Sequence, residues 1–214
     1  YGIWAAHNWA VGMFPEKAQE EYWSDSVDVL SSTSLDPSRA EVTSITGGYQ
    51  LSGRWSFSSG CDASAWAILA GMGPGGLIWL LVHQSDYTIE DNWFVSGLKG
   101  TGSKDVLVHE VFVPEYRVVS VADLRRGQSP GRTIHKTLNF RIPLQTMFAY
   151  SLAAPIVGMA QGALEAFEEL MGSRVAYTTG EKMIENPLVH IRLSEAEAEV
   201  NSARLIMADD GREV

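Results

Sequence analysis

The chain has 214 residues, with Lys and Arg totalling 16 against 26 Asp and Glu, a net charge of −10. That balance argues against non-specific nucleic-acid binding and against a polybasic membrane surface, so neither nucleic acid nor membrane is expected as a partner. A hydrophobic fraction of 45% excludes disorder, and the single cysteine, Cys61, excludes a disulfide framework and a cysteine-rich zinc site.

Residues 1–23 read as the end of a helical region. They are aromatic (YGIWAAHNWAVGMF), then turn to PEKAQEEYW, where Pro15 suits a first helical turn and Glu16 the positive end of the helix dipole. The chain opens on Tyr1 without a signal-peptide pattern, and ARLIMADDGREV stops while still helical. A segment of a longer protein is expected, with most of an N-terminal helical domain missing.

Residues 24–125 read as a β domain. Thr46-Gly47-Gly48-Tyr49 is a turn signal between the extended runs EVTSI and YQLSGRWSF. Short apolar strands are expected at Trp66–Ala70 and Leu77–Val82, and alternation at Tyr87–Trp93. Along VLVHEVFVP, alternation predicts Val106, Val108, Glu110 and Phe112 on one face, with Leu107, His109, Val111 and Val113 on the other. Short strands divided by glycine turns indicate a sandwich or barrel.

Residues 126–214 read as an incomplete C-terminal helical bundle, entered through a basic, Gly- and Pro-bearing linker, RRGQSPGR. A long helix is expected over about 143–173, kinked at Pro155. Within it, Ile142–Leu164 carries no charge over 23 residues, enough to span a bilayer. Gln145, Thr146, Ser151 and Gln161 interrupt the run, which favours a helix buried inside a soluble assembly. A second helix follows Pro187, with apolar Val189, Leu193, Ala196, Val200, Ala203 and Met207 stepping at helix-packing spacing. The order is helix, sheet, helices, an α+β class without the βαβ alternation of a Rossmann or P-loop domain.

Single motifs carry little. The five histidines are scattered without metal-ligand spacing, so no metal is expected. Cys61 sits in no nucleophile signature and reads as a small buried residue. The clusters Ser31–Ser34 and Ser58–Ser59 are equally compatible with turn serines. GLKGTGSKD lacks the spacing of either common phosphate loop.

Together the segments resemble the acyl-CoA dehydrogenase superfamily. YQLSGRWSFSSG is similar to its Leu-x-Gly, aromatic, Ser/Thr strand pair. GLKGTGSKDVLVHEVFVPEYRV is similar to its Gly-x-Arg-x-Ser and Val-x-Val-Pro segment. SRVAYTTGEKMIENPLVHIRLSEAEAEVNSARLIM resembles its arginine-bearing helix and the long helix that follows. HNW with FPEKAQEEYW, the doubled serine at Ser32, WSFSSGCD and GTGSKDV resemble most the flavin-dependent monooxygenase branch. These are oxygenase components of two-component aromatic hydroxylases, such as those acting on 3-hydroxylated seco-steroids or p-hydroxyphenylacetate.

The resemblance implies a cytoplasmic homotetramer with an acyl-CoA dehydrogenase-like β-barrel or sandwich. It would take reduced flavin, FMN or FAD, from a partner reductase and hydroxylate a phenol with O2 through a flavin C4a-hydroperoxide. It implies Ser59 at the flavin N5/O4 edge with Ser58 beside it, Phe57 next to the ring, and Ser32 and Ser34 on a strand supplying another hydroxyl. Thr101 and Ser103 are weaker phosphate or ring contacts, Arg174 reaches a flavin phosphate, and His7 accepts the substrate phenol's hydrogen bond. The alternative is an acyl-CoA dehydrogenase or another flavin oxidoreductase of the same fold. A dehydrogenase needs a carboxylate base. One place where some carry it, the start of the long helix, is empty here, since no Asp or Glu lies between Asp123 and Glu165.

Overall fold

The computed structural model describes residues 2–177 and 179–213. Their contacts form two compact units, one ending at Phe148 and one beginning at Ala149.

The first unit opens with α1 (Gly2–Val11) and α2 (Glu16–Tyr22), the latter entered through Pro15. Eight strands follow: β1 (Ser31–Ser34), β2 (Ala40–Ile45), β3 (Gly48–Ser58), β4 (Trp66–Gly73), β5 (Gly76–His83), β6 (Thr88–Glu90), β7 (Lys104–Pro114) and β8 (Val118–Ser120). A short α3 (Val121–Arg125) is capped by the Ser120 hydroxyl. The strands make two four-stranded sheets, in the orders β1-β4-β5-β8 and β2-β3-β7-β6. All pairings are antiparallel except β1 with β4. The expected α+β sandwich is therefore present.

Burial explains the sequence pattern. Ala67, Leu69, Leu80 and Val82 of the first sheet meet Leu51, Trp55, Val106 and Val108 of the second. The indole nitrogen of Trp55 donates across the sandwich to the Ala70 carbonyl at 2.8 Å. The opposite face of the first sheet (Trp66, Ile68, Ala70, Trp79, Leu81) packs on Val11, Phe14, Ala18 and Tyr22. A sheet covered on both faces needs apolar residues at every position, which is why WAILA and LIWLLV do not alternate. Each fully buried Leu or Ile contributes about 1.5–3 kcal/mol relative to exposure.

The turn between β2 and β3 closes where Ile45 pairs with Gly48, and Gly47 takes φ +84°. The expected faces of β7 need correction beyond Val108. Leu51 pairs with Val111 and Gly53 with Val108, so His109 and Glu110 crowd opposite Ser52 in a β-bulge. One extra residue reverses the parity. Val106 and Val108 are buried as expected, but so is Val113, while Glu110 and Phe112 face solvent.

The basic segment after α3 is firmly packed. Gly131 lies where a Cβ would come within 1.8 Å of the Gly12 carbonyl oxygen, and its N–H donates to Met13. His135 hydrogen-bonds the Gln19 side chain at 2.7 Å and stacks on Phe140.

α4 (Leu144–Ser173) runs unbroken through Pro155, and α5 is Pro187–Glu213. In the second unit Val189, Leu193, Ala196, Val200, Ala203 and Met207 form the half-buried stripe of α5, as their spacing predicts. Among the described residues α4 is the one helix long and apolar enough to cross a membrane. Leu152, Ile156 and Met159 are exposed on it in the single chain.

Candidate functional site

A second bulge builds the site. Trp55 pairs with Val106 and Ser58 with Lys104, so Ser56 and Phe57 together face Asp105. The extra residue lets Trp55 and Ser58 both point inward, each fully buried, and throws Phe57 outward. Phe57 takes φ +61° and is 70% exposed. A left-handed backbone at a bulky residue costs about 1–3 kcal/mol and persists only where neighbours enforce it. The ring meets Trp93 edge-on, with centroids 6.1 Å apart.

Hydroxyls gather beside this aromatic pair. Ser58 Oγ donates to Ser32 Oγ at 2.9 Å, and Ser34 Oγ donates to the Ser56 carbonyl at 2.6 Å. Ser59 and Ser103 share a hydrogen bond of 2.8 Å, and Ser103 bonds Thr101 at 2.7 Å. The Gly60 N–H donates to the Thr101 carbonyl, tying the end of β3 to the loop before β7. The strand parity of β1, open in the sequence, is thereby settled: Ser32 and Ser34 both turn toward β3. Ser32, Ser34 and Ser58 thus gather on the inner side of the β3 end and Ser59, Ser103 and Thr101 on its loop side, while Phe57 faces outward.

His7 holds β1 from the other side. Its Nδ1 lies 2.6 Å from the Ser31 carbonyl oxygen, which can only accept, so Nδ1 carries the proton. Nε2 then accepts from the Thr33 hydroxyl at 2.9 Å. Burial pushes the imidazole pKa below its usual value, against a smaller upward pull from the Ser31 bond. His7 is therefore neutral at pH 7, and both of its nitrogens are engaged by β1. Arg174 lies in the second unit, exposed, just after α4; its carbonyl accepts from the Met183 N–H. Cys61 is buried, and desolvation followed by the nearby Asp62 charge pushes its thiol pKa up, so it is a poor nucleophile.

Sequence reasoning missed Ser56, Trp93 and the polar cluster behind them. Asp105, 3% exposed, accepts from Arg54 Nε at 2.6 Å and from Ser56 Oγ at 3.1 Å. Its N–H donates to Asn92 Oδ1 at 3.2 Å, and Arg54 also pairs with Glu90 at 2.8 Å. Burial raises the Asp105 carboxyl pKa, but bonds from Asn92, Arg54 and Ser56 outweigh it and leave the group below the usual carboxylate range. The one available signal was an Asp at the start of the apolar run Val106–Val108, and nothing in the sequence pairs it with Arg54. Chemically, exposed aromatic edges beside convergent hydroxyls suit a flat conjugated ring with a polar edge.

Residues 150–214 match the family model described as acyl-CoA dehydrogenase, C-terminal domain. The chain is 38% identical over 207 residues to the oxygenase subunit HsaA, a flavin-dependent monooxygenase of Rhodococcus jostii, covering 94% of this chain and 54% of that one. It is 38% identical over 220 residues to the oxygenase component of an FADH2-dependent resorcinol hydroxylase of a Rhizobium species, covering 98% and 54%. The crystal structure of 3-HSA hydroxylase from Rhodococcus sp. RHA1 superposes with a TM-score of 0.89 at 36% identity, covering 97% of this chain and 55% of that one. The chain thus spans about half the length of the relatives it matches.

Proposed function

We propose that this chain, a member of the acyl-CoA dehydrogenase superfamily, forms the flavin-binding half of a monooxygenase that hydroxylates a phenolic ring. The observation that carries the reading is the Phe57–Trp93 pair at the second bulge, tied to the Thr101, Ser103 and Ser59 hydroxyls through the Leu98 carbonyl, which accepts from Trp93 Nε1 at 3.1 Å and from Thr101 Oγ1 at 2.9 Å. That donor set fits an isoalloxazine, whose apolar rings need an aromatic neighbour and whose N5/O4 edge needs hydrogen-bond partners. Reduced flavin, when bound, supplies two electrons and with O2 delivers one oxygen atom to the ring and one to water.

The chain's own residues hold and shield. Ser59, held by Ser103, would offer its hydroxyl to the polar edge of a bound flavin, and Phe57 would border it. Ser58 and Ser32, bonded to each other and buried, close the floor against water. Ser34 fixes the bulge through the Ser56 carbonyl. Thr101 and Ser103 line the loop side; Arg174, exposed in the second unit, carries the planar fork that suits a phosphate. His7, neutral, keeps β1 in place; accepting a phenol hydrogen bond would require it to release Thr33.

The name of one relative, an FADH2-dependent resorcinol hydroxylase, supports a phenolic substrate and a reduced flavin, and the words oxygenase component and oxygenase subunit support a separate partner that supplies it, FMN or FAD being part of the proposal. A homotetramer in the cytoplasm completes the proposal, with the exposed apolar face of α4 covered by protein. The dehydrogenase reading rests on the family model matching residues 150–214.

The test is anaerobic titration of the full-length protein with reduced FMN and FAD, then mixing with 18O2 and a panel of phenols. Labelled catechol is the expected product. No labelled phenol product, together with conversion of an acyl-CoA to its enoyl thioester in a parallel assay with oxidised flavin and an electron acceptor, would replace this reading with the dehydrogenase one.

A further inference from the structure

The reading above leaves unexplained what holds a bulky aromatic in a left-handed backbone at the rim of the site. The geometry points to Asp105 as the positioning residue of the proposed flavin cradle, bracing the bulge that displays Phe57 and pinning the loop that carries Trp93, Thr101 and Ser103. The inference rests on the flavin reading and adds a residue that touches none of the reacting atoms.

Three features carry it. Asp105 occupies the single position on β7 that faces both bulged residues, Ser56 and Phe57. Its Oδ2 accepts from Ser56, so the first residue of the bulge is tied sideways to β7 rather than free to flatten. The same oxygen accepts from Arg54, two residues upstream on β3, and the backbone N–H of Asp105 is held by Asn92, next to Trp93 in the chain. One residue therefore joins the strand bearing Phe57, through its buried carboxylate, to the loop bearing the partner ring, through its backbone N–H. Lys104 adds a second tie, pairing with Asp62 at 3.1 Å and Asp91 at 3.3 Å across the same strand end and loop. A charged acceptor suits the task, because bonds to a carboxylate are shorter and stronger than neutral ones.

Displacement of reacting groups by about 1 Å can cost roughly a hundredfold in rate. Loosening this brace is therefore expected to act on flavin affinity and on coupling before it acts on stability. The experiment uses full-length protein and the variants Asp105→Ala, Ser56→Ala and, as a control at the other bulge, Ser52→Ala. Reduced-flavin affinity, peroxide released per flavin oxidised, and amide exchange across residues 91–103 are measured. Asp105→Ala is expected to weaken flavin binding by about tenfold or more, the size that loss of an outer partner has at metal sites, to raise peroxide release and, because the Asp105 N–H that Asn92 holds sits on the loosened strand end, to speed exchange in 91–103. Ser56→Ala, which leaves the carboxylate paired with Arg54, should move all three the same way by less, and carries the test if Asp105→Ala fails to fold. Ser52→Ala should leave flavin affinity and coupling unchanged. Flavin-binding wild type with both site variants indifferent overturns the placement of Asp105. Wild type that takes up no flavin overturns the functional reading, while exchange in 91–103 still reports whether the brace exists.

Discussion

The β3–β7 ladder is interrupted twice, and the two interruptions differ in company rather than in backbone. At one, His109 and Glu110 face Ser52; at the other, Ser56 and Phe57 face Asp105. Each places a non-glycine residue at positive φ, Glu110 at +51° and Phe57 at +61°. Around Glu110 the support is thin: its N–H is held by Ser52 Oγ at 2.8 Å, and its carboxylate lies 3.9 Å from an exposed His109. Around Phe57 there is a buried carboxylate, a strand of serines and a facing indole. Backbone strain therefore does not mark a site by itself. What separates the two bulges is the number of buried polar groups committed to keeping one of them in place.

The largest expected effect tests whether the two bulges share one stiff strand. Gly53 sits between them at φ +150°, and a Cβ there would lie 2.4 Å from the Arg39 carbonyl oxygen. Backbone cannot give way as a side-chain tip can, so Gly53→Ala is expected to cost about 3 kcal/mol or more. Urea unfolding measures it. A loss below about 1 kcal/mol would mean that β3 bends easily and that neither bulge is fixed by the strand.

Next in size is the tie that the Phe57 bulge has and the Glu110 bulge lacks. Ser34 of β1 bonds the Ser56 carbonyl, and β1 is held by His7. His7→Ala leaves the buried Ser31 carbonyl without the imidazole and should cost about 2–3 kcal/mol. The pH dependence has a definite sign. The folded imidazole pKa lies below the unfolded value near 6.5, so the unfolded chain takes up the proton first. Wild-type stability should be flat in this respect above about pH 6.5 and fall below it, levelling once the folded group also protonates. His7→Ala should lack that component. Thermal unfolding of both proteins from pH 7.5 to 5 decides the matter, and identical slopes would remove His7 from the brace.

This contrast also shows where sequence reading reaches. The sandwich was legible because sheet burial imposes residue choice: WAILA and LIWLLV read as short apolar strands divided by glycines and residues 46–49 as a turn, although it is the structure that shows the first sheet covered on both faces. The stripe on α5 was legible for the same reason, since period and burial coincide. The serines were found through resemblance, not through pattern, because a hydroxyl suits a turn as well as a site. Both bulges were invisible. An extra residue in a ladder leaves hydrophobic alternation looking intact on either side, as VLVHEVFVP does, and only the partner strand reveals the slip. Asp105 and Arg54 are 51 positions apart, joined by topology and not by spacing.

The smallest stability effect separates the bulges most sharply. Glycine removes the penalty for positive φ, so Glu110→Gly should stabilise by about 0.5–1 kcal/mol, its exposed ion pair with His109 being worth little. Phe57→Gly relieves the same penalty but forfeits the edge-on contact with Trp93, worth about 0.5–1.5 kcal/mol, so its net change should be close to zero. On stability alone the two substitutions would be hard to tell apart. Flavin titration should divide them: Glu110→Gly binds as wild type, whereas Phe57→Gly loses the ring that borders the cofactor and weakens binding by about tenfold, or roughly 1.4 kcal/mol. Equal behaviour in that titration would reduce the Phe57 bulge to a bend like the other, with its aromatic there to meet Trp93 and nothing more.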